Sequence, residues 1–413
     1  MQTIPTNDKI IIRELAKQYA EAAALPVMAE RKHLWKQLNG LKPARPMIAI
    51  DQVCWCEMEV DDELTLRCEN DECRAYEESL RKALYQHKHM PVDQVIEPFI
   101  PVAKAITGLG FGIDSREETL ASDEKNDVLS RRFENQFTCM VDIEKITMPV
   151  IGHDTAETAR REAVATELFD GILDIRLMGA EPWITIWDPI SMWMGVENAL
   201  FAFADEPELM HALAGRMIAV YESTINQLEG QELLRPPQSL IHCTGAWTDE
   251  LPATGYDPDK VRLKDLWGCG LAQMMGACSP AMFEEFELEY CLPLFKRFGL
   301  LYYGCCDSLD GKLDLVKKIP NVRKISASPW STQESFAEQI GSGYVFSRKP
   351  NPALLATHDF DAALVRADLM QTKAICEKND SPLEFILKDI STVRYQPERL
   401  WEWARIAAEV VED

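Results

Sequence analysis

The sequence LLYYGC at residues 300–305 is a short apolar run that indicates a buried β-strand. The sequence predicts further strands at 46–50, 183–187, 239–243, 322–327, 344–347 and 383–387. Helical patterns of roughly 10–20 residues separate most of these strands, which is typical of a parallel sheet covered by helices. About eight such units favour an α/β fold in which a (β/α)8 TIM-type barrel closes on itself.

The chain is predicted to be a single domain that spans residues 1–413. No Pro/Gly/Ser-rich linker or low-complexity tract divides it, and 46% of its residues are hydrophobic, which is enough for a large core. Apolar side chains recur at helical spacing between Ile10 and Ala22. Residues 1–45 are therefore expected to form a helical N-terminal extension packed on the barrel.

The charge and the absence of targeting signals indicate a cytoplasmic protein that acts on a small molecule. The formal net charge of −24 would repel nucleic acid and anionic lipid. No apolar run approaches the roughly 20 residues that a membrane span needs, and the first residues lack the pattern of a signal peptide. The twelve cysteines are accordingly expected to be thiols, with some of them metal ligands.

Barrels of this class carry their chemistry at the C-terminal ends of the strands, so the residues that follow each strand are the candidates for a site. These residues include thiols, a histidine, carboxylates, a lysine and several aromatic rings. The candidates are Trp187, His242, Trp247, Tyr303, Cys305, Cys306, Asp307, Trp330, Lys349, Asn351 and Asp389.

Alternation along the strands predicts which side chains face the interior. Because successive side chains of a strand point to opposite faces, Tyr303 and Cys305 are expected to share one face. Cys306 is expected on the other face unless the chain turns at Gly304, where glycine permits a turn. The same rule directs Trp183 and Trp187 towards the barrel interior or its mouth.

The residues alone leave two interpretations open for each chemical group. Cys305 and Cys306 either pack as small hydrophobic residues or bind zinc through sulfur. His242 is either a hydrogen-bonded structural residue or a ligand or base. The tryptophans either belong to the core or line a pocket for an aromatic or quaternary ammonium group.

Three stretches of the chain resemble the uroporphyrinogen decarboxylase superfamily, which includes the corrinoid-dependent methyltransferases. They are GVE at 195–197 followed by DEPELMH at 205–211, SPAMFEEF at 279–286, and KPNP at 349–352 followed by LL. The resemblance covers roughly residues 35–411. It implies the same barrel fold.

The methyltransferase branch of this superfamily binds zinc with a His-x-Cys motif and a distant cysteine. In this chain the His-x-Cys position reads YGC at 303–305, and the distant position falls where Asp389 stands. One ligand position is kept and two are changed. A zinc site would therefore need Cys305 with helpers such as Cys306, Asp307, His242 or Asp389, since zinc accepts sulfur, nitrogen and oxygen ligands. Cys305, Cys306 and Asp389 are the expected set.

The resemblance further implies an enzyme that moves a methyl group between a small methylated or methoxylated substrate and a corrinoid protein or a thiol. Asp307, His242 and Lys349 would be its catalytic residues, with Asp307 or His242 handling a proton. The substrate-binding residues would be Trp187, Trp247, Tyr303, Trp330 and Asn351. The implied cofactors are zinc and a corrinoid carried by a partner protein.

Two alternatives stay open at this point. One is a decarboxylase related to uroporphyrinogen decarboxylase, and the other is a barrel that binds a tetrapyrrole or a corrinoid without turnover. True uroporphyrinogen decarboxylases carry an arginine-rich segment after the first strand, which holds substrate carboxylates. The corresponding residues 51–56 read DQVCWC and contain no arginine, which argues against that substrate.

Overall fold

The structure is a computed structural model that describes residues 4–121 and 129–412. Its strands are β1 Met47–Ile50, β2 Phe99–Ala103, β3 Ile106–Thr107, β4 Glu117–Ala121, β5 Leu129–Phe133, β6 Gly152–His153, β7 Asp174–Met178, β8 Leu240–Ile241, β9 Thr244–Gly245, β10 Trp267–Gly270, β11 Leu300–Tyr303, β12 Val322–Ala327, β13 Val345–Arg348 and β14 Leu383–Leu387. Its helices are α1 Thr6–Ala23, α2 Pro26–Asn39, α3 Asp71–His89, α4 Thr155–Phe169, α5 Trp187–Met194, α6 Val196–Asp205, α7 Pro207–Gly230, α8 Pro280–Phe283, α9 Glu289–Phe295, α10 Leu313–Val316, α11 Gln333–Ile340, α12 Ala353–Ala356, α13 Ala362–Lys378 and α14 Glu398–Glu412. None of these described helices is long and apolar enough to cross a membrane.

A six-stranded parallel sheet is the centre of the fold, with the strands in the order β1-β14-β13-β12-β11-β10. Strands β2 and β7 form a second parallel pair. Ile184, which follows β7, pairs with Gly270 of β10, and the Asp93 N–H, ahead of β2, donates to the Ile48 carbonyl of β1. This order is consistent with a TIM-like α/β fold. The hydrogen bonds between the strands described do not run round a complete ring, so the closed barrel stays a prediction.

The two faces of the sheet differ in character, as strand β14 illustrates. Leu383, Phe385 and Leu387 pack into the large core between the sheet and the helices. The alternate residue Glu384 points to the other face, where its carboxylate pairs with Lys324 of β12 at 2.7 Å. The interior face of the sheet therefore contains a fully buried ion pair.

The β8–β9 hairpin is attached to this interior face. Lys324 donates to the Thr244 hydroxyl at 2.9 Å and to the Gly245 carbonyl at 3.1 Å, and the Thr244 hydroxyl donates to Glu384 at 2.7 Å. The indole of Trp35 covers Gly245 so closely that an added Cβ would lie 2.4 Å from the ring. The buried charges are thus paired and hydrogen-bonded, as burial in a medium of low dielectric constant requires.

The N-terminal segment forms two helices, as the sequence predicts. They are separated at Leu25, because Pro26 occupies the first position of α2, where proline is well tolerated. Helix α1 packs against α3 and α4 through a cluster that includes Ile12, Leu80 and Leu168. The single-domain organisation of the whole chain stays a prediction.

Two predicted strands are wrong. At 183–187 only Ile184 makes a strand-like pair, and Trp187 begins α5, with Pro189 in the first turn of that helix. At 239–243 the chain forms the short antiparallel β8–β9 hairpin instead of a strand of the parallel sheet. His242 lies at its tip with φ of 53°, in the left-handed region that ends an extended run.

Strand β10 is the neighbour of β11 in the sheet, and the sequence analysis did not predict it. Its sequence WGCG lacks the branched residues that usually mark a strand. Gly270 is required there because a Cβ would lie 2.5 Å from the ring of Phe295 in the covering helix. Gly270 thus allows close packing of the helix on the sheet, but a glycine also weakens the sequence pattern that would indicate a strand.

Candidate functional site

The C-terminal ends of β11, β13 and β14 bring a thiol and two lysines together. The Cys305 sulfur lies 3.1 Å from the ammonium nitrogen of Lys388. Lys349 donates to the Ser347 hydroxyl at 2.9 Å and to the hydroxyl of Tyr302. All five side chains are buried, and they lie on the interior face of the sheet. The predicted convergence of these strand ends is therefore present.

Gly304 directs the cysteine pair into the interior. Its φ of 94° turns the chain directly after β11, so that Cys305 packs with Tyr302. Tyr303 points to the helix side, where its hydroxyl donates to Glu287 at 3.1 Å. The expectation that Tyr303 and Cys305 share one face is wrong because the turn interrupts the alternation. Tyr303 therefore lies away from the thiol.

The tip of the β8–β9 hairpin places His242 beside the thiol. Its ring stacks on Tyr302, with centroids 5.0 Å apart, and on Trp183 at 5.5 Å. Its Nδ1 lies 2.7 Å from the Cys243 sulfur, and the ring is close enough to Cys305 to influence the pKa of that thiol. Burial lowers the pKa of His242, but the two sulfurs outweigh burial and raise it to about 9. The imidazole is accordingly cationic at neutral pH.

This surrounding favours the thiolate form of Cys305. The sulfur atoms of Cys305 and Cys306 lie 3.4 Å apart. The hydrogen bond from Cys306 lowers the pKa of Cys305; burial opposes it, and His242 and Lys388 add to the lowering. The same hydrogen bond raises the pKa of Cys306. Cys305 is therefore the more acidic of the two thiols, and Cys306 is the one that stays protonated.

Three carboxyl groups at this end of the sheet have raised pKa values, and two of them, Asp307 and Asp188, lie near Cys305. Burial raises the pKa of Asp307 to about 7, and the negative charge of Cys305 acts in the same direction. Burial likewise raises the pKa of Asp188 to about 6 and that of Glu287 to about 8. The Oδ1 atom of Asp307 has no hydrogen-bond partner among the described residues. Asp307 can therefore give or take a proton near neutral pH.

A cavity of about 370 Å³ opens beside these groups, and we call it the rim cavity. Its polar lining comprises Cys306, Lys349, Asn351, Lys388, Asp389 and Thr392. Its outer wall is apolar and includes three prolines and the ring of Trp330, which is 72% exposed. The size and the mixed lining are typical of a site for a small molecule.

The predicted zinc ligands are close together, but their spacing is that of hydrogen bonds. The Cys306 sulfur lies 2.6 Å from an oxygen of Asp389, whereas sulfur and oxygen bound to one tetrahedral zinc lie about 3.5 Å apart. The ammonium of Lys388 lies on the Cys305 sulfur, where a cation would bind. In the part of the chain that the structure describes, no three His, Cys, Asp or Glu side chains are placed to hold a metal ion. The residues as arranged do not fit zinc.

Besides Tyr303, two predicted binding residues lie elsewhere. Trp187 starts α5 and packs against Phe203, with ring centroids 4.8 Å apart. Trp247 follows the hairpin towards the first residues of β1 and β13, and it lines a separate cavity of about 240 Å³ with Trp267. The structure brings together His242, Cys305, Cys306, Asp307, Trp330, Lys349, Asn351 and Asp389.

The sequence analysis did not select Lys388, Tyr302 or Asp188 as site residues. Lys388 follows strand 383–387 directly, and alternation from Glu384 places it on the interior face. That signal was present in the sequence. Asp188 had no comparable signal. It lies in the first turn of α5, where the sequence predicted the end of a strand.

The amino-acid sequence matches no protein-family model and no curated protein. The fold is similar to that of a methyltransferase from Methanosarcina mazei. The TM-score is 0.50 and the sequence identity is 13%, over 93% of this chain and 98% of that protein. At this identity the likeness concerns the fold alone.

Proposed function

We propose that this chain transfers a methyl group from a small methylated or methoxylated donor to a corrinoid protein or a thiol, by way of Cys305. The observation that carries the proposal is the Cys305 sulfur held against the Lys388 ammonium beside the rim cavity. A thiolate is the reactive form of cysteine, and a methyl carbon bound to oxygen, nitrogen or sulfur is an electrophile that a thiolate attacks.

In the first half-reaction the Cys305 thiolate attacks the methyl carbon of the donor. The new sulfur–carbon bond forms as the bond from carbon to the leaving oxygen breaks, and the bonding electrons stay on that oxygen. Asp307, whose buried carboxyl is protonated below about pH 7, donates its proton to the leaving oxygen. The products are the demethylated alcohol and S-methylated Cys305.

In the second half-reaction S-methylated Cys305 would give its methyl group to the acceptor, a reduced corrinoid or a thiolate that supplies the electron pair of the new bond. The electrons of the sulfur–carbon bond return to Cys305. A sulfur whose pKa is lowered is the better leaving group. Lys388 and His242, which stabilise the thiolate before the reaction, stabilise it again as it leaves. Asp307 regains its proton from solvent.

Two further observations support the proposal. The structurally similar protein is a methyltransferase, although the low identity carries no residue-level argument. The stretches GVE at 195–197 and SPAMFEEF at 279–286 resemble those of the uroporphyrinogen decarboxylase superfamily. We therefore propose that the chain is a distant member of that superfamily, with a closed (β/α)8 barrel and a methyltransferase activity.

The proposal is tested by mixing the purified protein with methoxylated or N-methylated donors and reduced cobalamin, and following methylcobalamin by its absorption spectrum. Methylcobalamin should form, and Cys305→Ser should slow it by on the order of 10³-fold. Cys139→Ser, at an exposed site that does not line the cavity, is the matched control. Carbon dioxide release without methyl transfer would favour the decarboxylase instead. Uroporphyrinogen is not an expected substrate, because residues 51–56 contain no arginine.

A further inference from the structure

Lys349 is a buried lysine whose charge is not balanced by the protein around it. Only 2% of its surface is exposed, and its ammonium donates to Ser347 and Tyr302, which are hydroxyl groups. The Tyr302 hydroxyl remains neutral because burial raises its pKa. No carboxylate of the described residues lies within ion-pair distance of Lys349. An ammonium has three N–H donors, so one of them has no protein acceptor in this part of the chain.

The neighbouring interior lysines are paired. Lys324 contacts the Glu384 carboxylate at 2.7 Å, and Lys388 lies 3.1 Å from the Cys305 sulfur and 3.7 Å from Asp389. Each of these cations therefore has an anionic partner inside the fold. A buried charge without a partner is costly and is retained in a protein when it has a use, such as a charged ligand.

Lys349 also lines the rim cavity, which is open to a ligand from outside the protein. We infer that the rim cavity takes a small carboxylate whose anionic group binds Lys349 and whose apolar body lies against Trp330 and the prolines. That the carboxylate also carries the methyl group, on the side that Cys306 lines, rests on the proposed function. The substrate class is then a methylated or methoxylated carboxylic acid.

The opposite charge class is disfavoured at the same place. An exposed ring such as Trp330 suits a quaternary ammonium group as well as an aromatic one. The cavity lining, however, includes Lys349 and Lys388, and of these two lysines only Lys388 is matched by anions. A cation that carries no carboxylate would thus bring a second positive charge to an unbalanced one.

Three probes of similar shape test the inference by calorimetric titration of the unmodified protein: para-methoxybenzoate, para-methoxybenzamide and (para-methoxyphenyl)trimethylammonium. The anion should bind at least about tenfold more tightly than the amide or the cation, because a hydrogen bond between two charged groups is the stronger kind. Lys349→Met should remove this preference. Trp330→Ala, a change on the surface, should weaken the binding of the anion and of the amide by a similar factor.

Equal binding of anion and amide by the unmodified protein would overturn the inference, whether or not Lys349→Met folds. So would a Lys349→Met protein that folds and keeps the preference. Binding is measured without methyl transfer, so the two proposals can fail separately. A Lys349-dependent anion preference without any methyl transfer supports this site and contradicts the proposed function. Methyl transfer with no preference among the probes contradicts this site and supports the proposed function.

Discussion

The ammonium nitrogen of Lys388 lies 3.1 Å from the sulfur of Cys305, although β11 and β14, which carry these residues, are separated by two strands of the sheet. Neighbouring strands lie almost 5 Å apart, so side chains at the ends of a flat sheet would not meet. The contact therefore depends on curvature of the sheet, which turns the strand ends towards a common point. The fold in this way produces the charge pair on which the chemistry rests.

Cys305 should react with iodoacetamide at a pH where ordinary thiols do not. Because its pKa is lowered, its thiolate persists as the pH falls, whereas a free thiol with a pKa of about 8.5 loses about tenfold in thiolate per pH unit. The measurement is the rate of alkylation of the Cys305 peptide between pH 6 and 8, by mass spectrometry, with N-acetylcysteine as the reference. A Cys305 rate that falls in parallel with the reference would contradict the thiolate assignment.

Lys388→Met should slow methyl transfer by about tenfold or more at pH 7, because removal of the neighbouring cation raises the pKa of Cys305. Raising the pH should restore part of the rate, since more thiolate then forms. Lys388→Arg keeps the charge and should retain more activity than the methionine variant. A variant that is slow at every pH by the same factor would indicate a structural role for Lys388 instead.

Asp307→Asn should slow transfer from methoxylated donors by on the order of 10²-fold, because the leaving oxygen then lacks its proton donor. The pKa of Asp307 is raised to about 7, so its acid form is present below pH 7 and is lost as the pH rises through that value. The wild-type rate with these donors should fall accordingly. A carboxylate donor that carries its methyl group on a sulfonium becomes a neutral thioether when the methyl group leaves, so it needs no proton. Transfer from such a donor should be nearly insensitive to the substitution. Equal slowing of methyl transfer from both donors would show that Asp307 is not the proton donor.

Lys324→Met should destabilise the protein by about 3–5 kcal/mol, because it leaves the buried Glu384 carboxylate without its cation. The double variant Lys324→Met, Glu384→Leu should recover most of this loss, since no unpaired charge remains. Chemical unfolding followed by circular dichroism gives both free energies. A single variant within about 1 kcal/mol of the wild type would mean that the pair contributes little to folding.

Much of the fold could be predicted from local patterns. Strands Val322–Ala327 and Leu383–Leu387 have the predicted bounds, because apolar runs and end signals agree there. Strand β10 was missed because glycines replace the residues that usually mark a strand. The hairpin at His242 was predicted as a strand. The left-handed φ of His242 depends on tertiary contacts, and a histidine in the sequence does not indicate it.

The site could be predicted in part, for a related reason. Cys305, Lys349 and Asp389 were predicted at one end of the strands, because the ends of parallel strands meet on one side. The position of Tyr303 could not be predicted, since a glycine allows a turn at Gly304 without requiring one. The pairing of Lys388 with a thiol depends on curvature across two intervening strands, which no local pattern contains.

The most direct test of the account is the mass of the Cys305 peptide after the protein is incubated with a methoxylated carboxylate and no acceptor. The account predicts that this peptide gains one methyl group, and that Cys306→Ser, which keeps a hydrogen-bond donor beside Cys305, gains it too. Addition of reduced cobalamin should then remove the methyl group. Methyl transfer to cobalamin at the full rate by Cys305→Ser, or with Cys305 never methylated, would contradict the central role of this sulfur.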